Sequence, residues 1–455
     1  MTVPLSAFSA ASKHSMSTTR SLQEHHIVII GGGIIGCTAA YYITHHPLFK
    51  TPDNNVHRTV TLLEASTIAA GASGKAGGLV ADWAYPRELT KVSFAEHKKL
   101  ARKHGGEGRW GWREVECGQW EGRARPSGGK DGTSARLGSG ADADGLHGHS
   151  LEGNPRSVTG RAGLPGDLDW IDEALTDAYG AMAGPGETAQ VHPYEFTTSM
   201  LSLAREEAGE RLEVVEGAKV VSIERASASV TADRRGGAGA ESGTSTSKGD
   251  RVVGVTYEPT GGSHTHTVHI PADTVLLAAG PWSSTLMPSL PITSIRAHSI
   301  VIEPATPLSP YVLFTTIHSA DNAGVGEGSP EIYARPHNRV YACGPGDDTP
   351  LPPLASLDRP SASSISELRE QVNSISTPLR DGRVEVEQAC YLPLGGPIVG
   401  AVDTLQGLVV ATGHTCWGIC NAPGTAKAVA ELMMEGTLGK EWKLNKLKPS
   451  RFLNK

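Results

Sequence analysis

Gly31-x-Gly33-x-x-Gly36 stands directly after the apolar run Ile27-Val28-Ile29-Ile30. That order suits phosphate chemistry. In a strand–turn–helix unit Gly31 permits the tight turn, Gly33 lets a pyrophosphate approach the backbone, and Gly36 lets the helix pack on the strand. Ile34 and Ile35 lead through the turn into a helix that continues over 37–43, whose start turns free N–H groups and a positive dipole end toward the phosphates. A second β-branched run, 59–63, ends in Glu64, the residue type that holds a ribose diol at the end of a second strand. Glu64 lies farther from the glycines than the ~20 residues usual for this pattern. The polar stretch 45–58, read as a loop, accounts for the excess. Such glycines can also mark a turn in another α/β fold; the second strand and its terminal acid favour the dinucleotide reading.

The chain continues through Ala65 into Ala69-Ala70-Gly71-Ala72-Ser73-Gly74-Lys75-Ala76-Gly77-Gly78. Small residues in a row let backbone come close to a ligand, and their N–H groups can form an anion-binding concavity. The alternative is a plain connector; the position straight after the second strand favours contact with a cofactor. Farther on, a helix is expected over 195–207 and strands over 212–215 and 218–223, the latter containing Val220. The run 272–283 reads as a buried strand that ends in Ala278-Ala279-Gly280-Pro281-Trp282-Ser283. Small residues there leave space at the carboxyl edge of a parallel sheet, where ligands bind.

The elements that position these residues need a long chain, and 455 residues predict two to three domain-sized units. A formal charge of −7 leaves no basic surface for nucleic acid, so no nucleic-acid partner is expected. No apolar run approaches the ~20 residues of a membrane span. The six cysteines, at 37, 117, 343, 390, 416 and 420, are scattered without a C-x-x-C pair, which reads as reduced thiols. No metal set is expected. Residues 1–21 read as a disordered tail. Their Ser/Thr-rich, acid-free composition also resembles a mitochondrial presequence, but two basic residues make a poor one, so the expected location is cytoplasmic. Helical, amphipathic character over 86–120 gives way to Trp110, Trp112 and Trp120, read as core. Residues 121–166 and 226–250 lose periodicity and read as flexible inserts, the second at a hairpin tip.

In this order the pieces resemble the D-amino-acid-oxidase-type FAD-dependent oxidoreductases, the group that includes glycine oxidase, sarcosine oxidase and amadoriases. The most specific part is the tail: Leu394-Gly395-Gly396-Pro397, then Ala411-Thr412-Gly413-His414-Thr415-Cys416-Trp417-Gly418-Ile419, then Ala422-Pro423-Gly424. The Ser73–Gly78 loop with Trp110-Gly-Trp112-Arg113 looks closest to poorly characterised fungal members. The resemblance implies FAD, small-molecule substrates, and hydride transfer to flavin N5 with reoxidation by oxygen or another acceptor. It implies a cofactor site built from the glycine turn, Glu64, Ala65, the 73–78 loop, Val220, Ala279, Gly280 and Trp282. The tail would add Gly413, His414, Trp417, Gly418 and Ile419, where helix-start N–H groups can stabilise a reduced flavin.

Absences narrow the chemistry further. No second glycine turn follows a later strand, and no C-x4-C pair is present in the right place, so a nicotinamide domain of the disulfide-reductase kind is not expected. Family members acting on amino acids clamp the carboxylate with an arginine just before a proline of the last strand. Here that strand reads Gln388-Ala389-Cys390-Tyr391-Leu392-Pro393, and Leu392 stands in the arginine's place. A leucine cannot pair a carboxylate. The cations that could replace it are Arg296 and Arg335, for each of which a surface salt bridge is the preferred reading. His298 and His414 invite an acid–base reading, with a structural, hydrogen-bonded role preferred for His414. Cys390 sits where the sarcosine-oxidase branch attaches flavin covalently. Neighbouring residues differ from that branch, and non-covalent FAD is expected.

The fold expected is α/β, with a discontinuous Rossmann-type FAD-binding domain (22–85, 186–290, 386–440) and a mixed α+β substrate domain with an antiparallel sheet (86–185, 291–385), followed by a tail (441–455). The expected function is FAD-dependent oxidation of a C–N bond in a small amine or amino-acid-like substrate. The alternative is a flavin-holding interaction or assembly factor with little turnover; a member oxidising a C–O bond is a third reading.

Overall fold

The computed structural model describes residues 23–50, 56–125, 163–227, 249–261, 266–319 and 327–453. The N-terminal tail and most of the two expected inserts lie outside the described residues.

The run Ile27–Ile30 belongs to the strand Gln23–Ile30, in the middle of a sheet. Ile27, Val28 and Ile29 are fully buried, which is why the second half of the strand is continuously apolar instead of alternating. Among the described residues this sheet has six strands, in the order Ile398–Ala401, Leu408–Thr412, Thr274–Leu277, Gln23–Ile30, Val56–Glu64 and Leu212–Glu216. Neighbours are parallel except for the edge strand Ile398–Ala401, which runs antiparallel to Leu408–Thr412.

The two faces of this sheet are covered differently. Ile27, Ile29, Val60, Leu62 and Leu276 pack into a core with the helices Ile34–Thr44, Pro193–Ala208 and Gly418–Glu435. Val28, Ile30, Leu63 and Val275 point the other way, against Val220, Val252 and Val255 of the antiparallel pair Ala218–Ala226 and Asp250–Pro259. The strand Gln23–Ile30 lies between Val56–Glu64 and Thr274–Leu277, so the chain leaves it toward one side and returns on the other. The carboxyl ends at Ile30 and Leu277 sit side by side and leave a crevice between the diverging connections.

A second sheet carries seven strands among the described residues: Arg383–Leu394, Thr293–Glu303, Arg339–Asp347, Glu331–Arg335, Tyr311–His318, Glu116–Arg123 and Thr176–Ala181. It is antiparallel except where Tyr311–His318 meets Glu116–Arg123 in parallel. Its own core holds Trp120, Trp170 and Leu368, the last from the helix Ala362–Ile375.

Two expected boundaries move. The strand Arg383–Leu394 pairs along its length with Thr293–Glu303, from Leu394 opposite Thr293 to Arg383 opposite Glu303, so a boundary at 386 cuts through it. The helix Arg87–His104 was expected with the second domain. It packs instead on Gly418–Glu435, burying Leu89, Phe94 and Leu100 in the core of the first sheet. Gly424 permits that crossing, because a Cβ there would stand 2.4 Å from Ser93 Oγ. Among the described residues no helix is long and apolar enough to cross a membrane.

Candidate functional site

A cavity of about 560 Å³ opens beside the ends of the parallel strands. Its first wall is the glycine turn. Gly31 has φ +111°, and a Cβ there would stand 2.4 Å from Ala278 O, so the turn and the adjoining strand end require a glycine. A Cβ at Gly36 would meet Gly31 O at 2.0 Å: this glycine sets the approach of helix to turn and does not line the cavity. Gly33 differs from both. It faces the cavity, and a Cβ there would meet Ser73 Oγ at 3.0 Å with no backbone in the way.

The helix Ile34–Thr44 starts with neither a side-chain cap on its Gly33 N-cap nor an acidic residue in its first turn. Ile34 N donates to Ser73 Oγ at 2.8 Å, and Ile34 and Ile35 line the cavity. Glu64 closes the same corner together with Ala65. Its Oε2 accepts from Gly32 N at 2.7 Å and its Oε1 from Ser66 N at 2.8 Å. Burial raises the Glu64 pKa, and these backbone N–H groups oppose that rise. Both carboxylate oxygens retain further lone pairs for a ligand.

The 73–78 loop divides between lining and scaffold. Ser73 and Ala76 reach the cavity; Gly74, Lys75, Gly77 and Gly78 do not. A Cβ on Gly74 would meet Ala69 O at 2.3 Å, one on Gly77 the Tyr333 ring at 2.0 Å, and one on Gly78 Val191 O at 2.0 Å. Lys75 Nζ donates to Ala389 O at 2.8 Å, and Gln388 Nε2 donates to Lys75 O at 3.1 Å. The small residues therefore let the loop wedge between the two sheets.

Ala279, Gly280, Trp282, Val220, Gly413, His414, Gly418 and Ile419 complete much of the wall. His414 is buried, its Nε2 hydrogen-bonds Thr425 Oγ1 at 3.0 Å, and burial lowers its pKa to about 4. It is a neutral ring that braces the turn before Gly418–Glu435. Trp417 stands behind this wall, edge-on to Trp83 at 5.7 Å and to Tyr85 at 6.1 Å.

The sequence reading missed one wall. Leu351, Pro352, Pro353, Leu354 and Ala355 lie along the cavity. Trp282 Nε1 donates to Pro352 O at 2.7 Å and Tyr391 Oη to Pro350 O at 2.9 Å. The three prolines at 350, 352 and 353 were the available signal, since they preclude an ordinary helix or central strand.

Arg296, His298 and Arg335 do not line this cavity. Arg296 donates from Nε to Asp347 Oδ1 at 3.0 Å and from Nη2 to Asp347 Oδ2 at 2.7 Å, and its Nη1 donates to Arg359 O at 3.0 Å. His298 is buried and its Nε2 accepts from Ser361 N at 3.0 Å. Arg335 lies over the Tyr341 ring and donates to the carbonyls of Gly77 and Ala76; burial lowers its pKa to about 10. Each of these polar groups is committed to holding backbone, which explains why residue type alone suggested catalysis. Leu392 and Pro393 do line the cavity. Cys390, two residues before Leu392 on the same strand, does not line it; it is buried and its thiol is pushed up to about 12 by burial.

The glycine approach at Gly33, a helix start with no acidic residue in its first turn and the acid of the next strand fit the diphosphate and ribose of an adenine dinucleotide. A protein built this way, with a second sheet roofing the crevice, is a dinucleotide-binding oxidoreductase of the flavoprotein type. The chain belongs to the DAO family of FAD-dependent oxidoreductases, whose family model matches residues 26–432. It is 31% identical over 497 residues to the Saccharomyces cerevisiae protein named "Putative oxidoreductase TDA3", with 91% of this chain and 92% of the relative covered. Among solved structures it resembles glycine oxidase from Bacillus cereus, with a TM-score of 0.61 and 19% identity over 91% of this chain and 98% of that one. L-proline dehydrogenase from P. horikoshii gives a TM-score of 0.63 at 16% identity, covering 95% and 98%.

Proposed function

We propose that the chain oxidises a C–N bond in an amine, with a substrate that lacks the free carboxylate of a simple α-amino acid. Gly31, Gly33 and the start of Ile34–Thr44 would take the FAD diphosphate, Glu64 the ribose, and the turn 413–419 the far end of the cofactor. FAD, when bound, supplies the two-electron acceptor. The amine class is supported by the names of the fold neighbours, glycine oxidase and proline dehydrogenase.

One observation carries the substrate reading. Leu392 occupies the cavity wall, while Arg296 and Arg335 are engaged elsewhere. Among the described lining residues the cationic side chain is Lys219, on a strand that contacts Val56–Glu64 and so lies toward the ribose end. A carboxylate buried against this apolar wall would lack a charge partner, which is costly. The wall is largely apolar, with Leu351, Leu354, Leu392 and Ile419 along it, which suits an apolar amine.

The test is anaerobic mixing of the yellow protein with a panel of primary amines, secondary amines and α-amino acids. Bleaching of the flavin by amines, and weakly or not at all by α-amino acids, is expected. Bleaching by simple amino acids at low concentration would reject the carboxylate argument. A panel that never bleaches the flavin would favour an FAD-holding protein with little turnover, a reading supported by the absence of Arg296, His298 and Arg335 from the cavity wall.

A further inference from the structure

The segment 348–361 is held at both ends by the residues that looked catalytic. At its start Arg296 grips Asp347 through Nε and Nη2, and Asp347 Oδ1 accepts from Thr349 N at 2.9 Å. At its end the same arginine stands 3.8 Å from Asp358 Oδ1 and donates to Arg359 O, while His298 Nε2 accepts from Ser361 N. Ser361 then caps the helix Ala362–Ile375. One guanidinium and one imidazole, two residues apart on the strand Thr293–Glu303, thus fasten both ends of a loop.

Between those ends the segment crosses to the nucleotide-binding side. Pro352 O accepts from Trp282, Ser66 Oγ donates to Ser356 Oγ at 3.3 Å, and residues 351–355 line the cavity. Apart from a single 3-10 turn, Ala355–Leu357, it has no regular structure and joins no strand. Closure leaves Asp358 Oδ2 and His298 Nδ1 buried without partners among the described residues, a penalty that opening would relieve.

We infer that 348–361 is a clasp over the cofactor cavity, that it opens for FAD to enter or leave, and that Arg296 and His298 are positioning residues for it. This rests on the cavity being the FAD site. The clasp ties the second sheet to the first through bonds that can break without unfolding either sheet.

The geometry offers a direct test. A Cβ built on Gly71 would stand 4.0 Å from Ala355 Cβ, within the ~3.5–4.5 Å of a disulfide, and Gly71 has φ −85°, open to any residue. The double variant Gly71→Cys, Ala355→Cys is loaded with FAD and oxidised with oxidised glutathione, and flavin release is followed by fluorescence on dilution. Release should slow at least about tenfold relative to the same double variant kept reduced, return to that rate with dithiothreitol, and show no response to the oxidant in either single variant. Arg296→Met should act oppositely, releasing FAD about tenfold faster, the scale of a lost charged hydrogen bond. Wild-type protein that binds no FAD would overturn the cavity assignment. Binding with release unaltered by a confirmed cross-link would overturn the clasp alone, as would failure of the two cysteines to pair.

Discussion

Arg335 Nε donates to Gly77 O at 3.0 Å, so a guanidinium from the second sheet holds the loop that shapes the cofactor cavity. The bond joins the two sheets at the point where the glycine-rich loop would otherwise present unpaired carbonyls.

Arg335→Met should therefore lower stability by roughly 2–3 kcal/mol, the scale of losing hydrogen bonds from a charged donor to buried acceptors. Urea unfolding of the FAD-loaded variant measures this. A change below ~0.5 kcal/mol would mean that the loop carbonyls find water or another donor.

Gly33 and Gly36 should fail in different ways. The Cβ of Gly33→Trp would meet only the Ser73 side chain, and the position faces the cavity, so the protein should fold and bind no FAD. Gly36→Ala drives a Cβ to 2.0 Å from Gly31 O and should lose stability by ~2 kcal/mol or more. Circular dichroism with flavin absorbance separates the outcomes; full flavin content in Gly33→Trp would reject the phosphate site.

Glu64→Ala should weaken FAD by roughly 1–3 kcal/mol, since it removes a charged acceptor and also frees Gly32 N and Ser66 N. Titration of apoprotein gives the number. An unchanged Kd would assign the ribose to another group.

Acid precipitation should leave the flavin in the supernatant. Burial keeps the Cys390 thiol protonated, and a thiol is a poor nucleophile. Flavin in the pellet, lost again in Cys390→Ser, would establish a covalent link.

Stability should fall as the pH drops from ~6.5 toward 4. His97 and His414 are both buried with pKa values lowered to about 4, so the folded state prefers them neutral. Unfolded histidines take up protons below ~6.5, and their contribution is fully present above that value. His97 Nε2 donates to Ile419 O at 3.0 Å, a bond that a glutamine can imitate. His97→Gln should flatten the profile measured by urea unfolding between pH 4 and 8; an unchanged slope would reject this origin.

Much of the nucleotide-binding half was legible because its residues act locally. The strand run Ile27–Ile30, the glycines that follow and Glu64 each carry a reason readable from their neighbours in the chain. The duties of Arg296, His298 and Arg335 were not legible, because their partners are distant backbone carbonyls, amides and an aspartate: Gly77, Arg359, Ser361 and Asp347. Residue type signals charge; only packing reveals that the charge is already spoken for. The boundary at 386 failed for a related reason, since strand pairing with Thr293–Glu303 is set by register across the sheet.

The strand Leu408–Thr412 stands inside the parallel sheet, beside Thr274–Leu277, which itself adjoins Gln23–Ile30. A chain growing on the ribosome therefore makes the nucleotide-binding turn first but holds an open sheet edge beside Thr274–Leu277 until Leu408–Thr412 has been synthesised. That edge is a template for pairing with other chains. Nascent protein should need chaperone protection until that strand emerges, and products terminated before residue 408 should aggregate even though they contain the whole glycine turn.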